Sequence, residues 1–159
     1  MKLRLLAIGQ KMPDWVSAGY QDFAKRLTGS LQVQLVELPM ARRGKNDHPA
    51  DIERHCQQEG DSILAALQPR EQLIALEVGG RRLSTQALSG TLAQWLQEGQ
   101  DIALAIGGPD GLSAAVRARA QWHWSLSELT LPHPLVRLVV IEQLYRAQSI
   151  LQGHPYHRA

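Results

Sequence analysis

Two hydrophobic rhythms alternate along this chain. Residues 2–9 form a short apolar run that reads as a strand, and residues 31–38 alternate polar and apolar, as a strand with one buried face does. Further apolar runs at 72–78 and 102–106 read as buried strands, with a brief one at 124–126. Between them the spacing predicts helices over residues 13–27, 51–67, 84–98, 114–120 and 135–151. Pro13 suits a first helical turn, Thr28-Gly29 a stop, and Ser84 and Ser113 are placed to cap the helices that follow them. This strand–helix alternation predicts the α/β class, with a mostly parallel sheet covered by helices on both faces. No linker, repeat or low-complexity segment interrupts the pattern, so one domain over residues 1–159 is expected.

In sheets of this kind ligands sit beyond the carboxyl ends of the strands. Three loops qualify: residues 77–82, 107–112 and 127–134. They converge only if their strands are neighbours. The turn Gly107-Gly108-Pro109-Asp110-Gly111 offers main-chain groups more than catalytic side chains, because glycine lets a ligand or another backbone come close. That suits a nucleoside-like cofactor, yet commoner nucleotide markers are missing. Leu112-Ser113 follows Gly111 where a Walker loop would have Lys-Ser/Thr, and no G-x-G-x-x-G follows the first strand.

Composition narrows the chemistry. No run approaches the roughly 18 apolar residues of a membrane span, and the opening residues read as a strand, not as a cleaved leader. The single Cys56 excludes an internal disulfide and fits a reducing cytoplasm. No His/Cys/Asp/Glu set has metal-ligand spacing, so no metal is expected. The net charge of +2 is small, but from Gly111 onward five Arg face two acids. A second basic knot, Arg42-Arg43-Gly44-Lys45, sits in a polar segment suited to phosphate contacts or simply to a solvated surface. The helix from residue 135 is apolar on most sides and so needs partners on most sides, which suggests a dimer. Trp122 and Trp124 point the same way in an extended segment; core packing suits them better than stacking on a base.

Several segments, taken together, resemble a known family. They are Ile-Gly-Gly-Pro-Asp-Gly-Leu at 106–112, Ser-Leu-Ser-Glu-Leu-Thr-Leu-Pro-His-Pro-Leu-Val-Arg at 125–137, Ile-Glu-Gln-Leu-Tyr-Arg-Ala at 141–147 and His-Pro-Tyr-His-Arg at 154–158. With Lys-Met-Pro-Asp-Trp-Val at 11–16 and Arg-Gly-Lys-Asn at 43–46, they make the whole chain similar to the bacterial ribosomal RNA large subunit methyltransferase H family of the SPOUT superfamily. The resemblance implies a parallel α/β sheet with a C-terminal trefoil knot, a cytoplasmic homodimer, and S-adenosyl-L-methionine bound in the knot. It further implies methylation of N3 of a pseudouridine in 23S rRNA of the assembled ribosome.

Carried over by position, the cofactor residues are Leu76, Gly107, Leu126, Ser127, Glu128, Leu129, Thr130 and Leu131. Main-chain groups of the last run would read an adenine edge, Leu76, Leu129 and Leu131 would enclose its faces, and Gly107 would admit the cofactor. Methyl transfer from a sulfonium needs neither metal nor covalent intermediate; it needs in-line positioning and a deprotonated imide nitrogen. His133, Arg137, Tyr156, His157 and Arg158 are the catalytic candidates, as proton acceptor or as partners of the anion. Each has a plainer reading: a helix start for His133, a surface ion pair for Arg137, a frayed end for the tail. A non-catalytic ribosome-associated RNA-binding or assembly factor stays open, as does a small nucleotide-binding metabolic enzyme.

Overall fold

The computed structural model describes residues 1–158; Ala159, the last residue of the expected domain and tail, lies outside the described residues. Five strands, β1 (Lys2–Ile8), β2 (Gln32–Leu38), β3 (Gln72–Arg82), β4 (Ile102–Ile106) and β5 (Trp122–Ser125), form one sheet in the order β2-β1-β4-β3-β5. Every pairing is parallel. Position in the sheet explains the hydrophobic rhythm. β1 and β4 are flanked on both sides and almost wholly buried, whereas β2 lies at an edge and keeps its alternation.

Helices α1 (Asp14–Ala24), α3 (Thr85–Glu98) and α5 (His133–Leu151) cover one face, and α2 (Pro49–Ala66) and α4 (Ala114–Arg119) the other. Along β1 the side chains divide accordingly: Leu3, Leu5 and Ala7 pack with Tyr20, Leu92 and Leu144, while Leu6 and Ile8 pack with Ile63 and Val116. The expected caps form. Ser84 Oγ accepts from the Ala87 N–H at 3.0 Å and Ser113 Oγ from the Val116 N–H at 3.3 Å. Gly99, at φ 64°, ends α3 in the left-handed conformation that glycine tolerates.

Two expectations need correction. Residues 77–82 were expected as a loop, but β3 runs on to Arg82. Leu76 and Arg81 both lie opposite Trp124, so the four residues between them are extruded from the ladder as an irregular bulge before pairing resumes at Arg82↔Ser125. Glycine is required there, because a Cβ on Gly80 would stand 2.7 Å from the His123 carbonyl carbon. The last helix, meanwhile, starts at His133, with Pro134 in its first turn, two residues before the apolar run. Its apolar sides are taken up by α1, α3, β1 and β4: Val140, Ile141, Leu144 and Ala147 are buried, and Leu135, Val136, Leu138 and Val139 half-buried.

Candidate functional site

Because β3 lies between β4 and β5, the bulged part of β3 and the loops after β4 and β5 do converge. They enclose a cavity of about 900 Å³ at the carboxyl edge of the sheet, closed at one end by the start of α5. Its walls are residues 76–79, the turn 106–112, Arg117, Trp124, most of 126–131, and Pro132, His133, Pro134 and Val136. The volume lies within the range of about 300–1,000 Å³ typical of small-molecule sites.

The turn after β4 closes on itself. Gly108 and Gly111 form a bridge, and the Gly111 N–H donates to the Gly108 carbonyl at 3.1 Å. A Cβ on Gly107 would lie 2.6 Å from the Gly111 carbonyl carbon, so this glycine is demanded by the turn's own backbone. Of the two close approaches expected at this glycine, a ligand or another backbone, the structure holds the second, and Gly107 also lines the cavity. In the third loop Ser125 Oγ donates to the Ser127 carbonyl at 2.9 Å, and Ser127 Oγ accepts from the Leu129 N–H at 2.8 Å. Among the described residues, the Thr130 and Leu131 N–H groups have no protein partner. Both residues lie on the cavity wall.

Of the eight residues expected to hold a cofactor, Leu76, Gly107, Leu126, Ser127, Leu129, Thr130 and Leu131 line the cavity. Glu128 does not; it points outward and pairs with Arg82 at 2.6 Å on the surface. Leu76 is buried, whereas Leu129, also on the cavity wall, is 72% exposed.

The catalytic candidates scatter. His133 lines the cavity and packs against Gly9, with its Nδ1 buried and unpartnered. Burial, and then the charge of Arg137, push its pKa below the usual histidine value, so the ring is neutral at pH 7. Arg137 lies one turn farther along and is 1% exposed, outside the cavity wall. Its guanidinium donates to Glu37 at 2.8 Å and to the Ile8 and Gly9 carbonyls at 3.3 Å, bracing α5 to the ends of β1 and β2. The tail is not frayed. Residues Pro155–His157 form a turn of 3₁₀ helix, and the Tyr156 ring lies 4.6 Å from that of Tyr145, with its hydroxyl donating to Glu142 at 3.1 Å. Glu142 is nine residues beyond His133, roughly 13 Å along the helix. Tyr156, His157 and Arg158 thus lie away from their own chain's cavity.

Arg43 departs from its expected freedom. It pairs with Glu59, which is 2% exposed, and with Asp110 of the turn at 3.1 Å. Arg42 and Lys45 stay exposed. Sequence reasoning passed over three polar residues on the wall: Glu77, Asp110 and Arg117. Glu77 had one readable signal, being the first polar residue after the apolar run 73–76.

Compared with known proteins, the chain matches a family model described as "Predicted SPOUT methyltransferase" over residues 1–157. The chain belongs to this family. Among SPOUT methyltransferase relatives, it is 65% identical over 159 residues, the full length of both chains, to "Ribosomal RNA large subunit methyltransferase H" of Acinetobacter baumannii (strain AYE). It is equally similar to the protein of that name from Acinetobacter baylyi. With that of Hahella chejuensis it shares 54% identity over 158 residues, 99% of each chain. Among the described residues no helix is long and apolar enough to cross a membrane, and no group of acidic, histidine and cysteine side chains suits a metal.

Proposed function

We propose that this chain is a large-subunit rRNA methyltransferase that moves a methyl group from S-adenosyl-L-methionine to N3 of a pseudouridine in 23S rRNA of the assembled ribosome. The observation that carries the reading is the convergence of the β3 bulge and two strand-end loops on one cavity, in a chain whose full-length relatives are named for rRNA methylation. The cavity fits the cofactor in size and chemistry: apolar walls at Leu76, Leu129 and Leu131 would flank a flat base, and the Thr130 and Leu131 N–H groups, unpaired among the described residues, would meet its edge.

When bound, S-adenosylmethionine supplies an electrophile that is already activated. The protein's part is to hold the rRNA nitrogen in line with it and to favour loss of the imide proton. His133, neutral and facing the cavity, is the acceptor for that proton. Arg137 acts by holding the first turn of α5, and so His133, in place. Tyr156, His157 and Arg158 are assigned to contacts with rRNA.

The wider reading is of a single cytoplasmic domain whose C-terminal part is threaded as a trefoil knot and which works as a homodimer. Half-buried Leu138 and Val139 on α5 fit a helix still able to take a partner. Incubating ribosomes and free 23S rRNA with the protein and labelled S-adenosylmethionine, then mapping the modified nucleotide, tests the activity. Label at pseudouridine N3 on ribosomes alone is expected, and no transfer with no cofactor binding by calorimetry would refute it. Sedimentation at micromolar concentration tests the dimer. Stretching the chain from both ends in an optical trap tests the knot, whose persistence would shorten the final contour length.

A further inference from the structure

The bulge in β3 does more than interrupt a ladder. Leu76 and Arg81 both lie opposite Trp124, so the segment between them leaves the sheet at the cavity wall. A bulge next to a site characteristically re-aims a side chain. The side chain re-aimed here is Glu77, which lines the cavity directly beyond Leu76. Gly80 permits the arrangement, because only glycine lets the returning strand pass so close to the backbone of His123.

Once in the cavity, Glu77 is held from behind. His123 Nδ1 hydrogen-bonds its Oε1, and since a carboxylate only accepts, the imidazole carries the proton on that nitrogen. Arg117, also on the cavity wall, stands 3.9 Å from Oε2, close enough to balance the charge and too far for a hydrogen bond. Oε2 has no hydrogen-bond donor among the described residues. The arrangement is therefore a fixed, charge-balanced acceptor with lone pairs to spare.

A balanced carboxylate is a weak lure for a cation and a good acceptor for paired hydroxyl groups. At the carboxyl end of parallel strands in nucleotide-binding sheets, an acidic side chain serves this purpose toward the ribose. We infer that Glu77 binds the vicinal 2′,3′-hydroxyls of the cofactor ribose, and that His123 is a positioning residue that aims it. The inference rests on the adenosyl-cofactor reading of the cavity. It adds a ribose subsite on the cavity wall next to Leu76.

Equilibrium binding of S-adenosylhomocysteine and its 2′,3′-dideoxy counterpart tests this without turnover. Wild type should prefer the diol by about tenfold or more, as expected for hydroxyls donating to an ionised carboxylate. Glu77→Gln should erase most of that preference and leave affinity for the dideoxy compound unchanged. His123→Ala, in which Glu77 is kept but no longer aimed, should lower the preference partway. A role in folding alone would weaken both ligands together and lower the melting temperature. Absence of diol preference in wild type overturns the inference whatever the variants do, and so does equal loss of both ligands in a folded Glu77→Gln protein. Failure of wild type to bind either compound overturns the cofactor reading itself, and this inference with it.

Discussion

His133 and Arg137 sit one helical turn apart and are governed by the same scarcity of water, with opposite results. The imidazole, with no partner for its buried Nδ1, is kept neutral by burial and by the neighbouring guanidinium. Burial also pulls the Arg137 pKa down, but Glu37 answers it and the side chain stays paired. For His133 the folded value lies below the unfolded one, so the unfolded chain holds more protons as pH falls through about 6.5. Stability should therefore decline below that pH. His133→Asn should decline less between pH 8 and pH 5 in parallel thermal melts, and identical slopes would refute the burial argument. Arg137→Met should lower stability by about 3 kcal/mol, because Glu37 and two strand-end carbonyls lose their donor. Urea midpoints measure this. Loss of methylation at unchanged stability would instead give Arg137 a direct part in the chemistry.

At the scale of elements, what could be read from the sequence was what depends on near neighbours. Ser84 and Ser113 cap helices because their acceptors and the N–H groups they bind lie three residues apart. The alternation in β2 was legible because it is the edge strand and keeps one open face. The continuation of β3 was hidden, since Gly79-Gly80 ends the apolar run and only the backbone of β5 reveals where pairing resumes. Arg43 looked free for a similar reason: its partners are 16 and 67 residues away. The basic loop therefore divides into a brace and two exposed cations. Arg42→Ala with Lys45→Ala should leave folding intact and make the log–log salt dependence of ribosome binding shallower by about 1–2. Arg43→Ala should lower the melting temperature, because Glu59 is left buried without its cation. An unchanged salt slope in the double variant would return Arg42 and Lys45 to a plain solvated surface.

For the molecule as a whole, the tail behaves as part of the fold. Ending the chain after Gly153 removes Tyr156 from contact with Tyr145, Glu142 and the Arg146 guanidinium 4.8 Å from its ring. A loss of about 1–2 kcal/mol is expected by calorimetry. Single-turnover methylation, run well below the melting temperature, should fall about 100-fold if the tail also grips rRNA through two contacts. An unchanged rate would make the segment purely structural. The strand order carries a consequence for synthesis. β1 leaves the ribosome first, yet it lies inside the sheet, with β2 on one side and β4, paired from Leu3↔Ile102 onward, on the other. A nascent chain cannot close the middle of its sheet until residue 106 is out of the exit tunnel, and until then one edge of β1 has no partner strand. Ribosome-stalled chains should therefore gain protease resistance in one late step, only once β4 has cleared the tunnel.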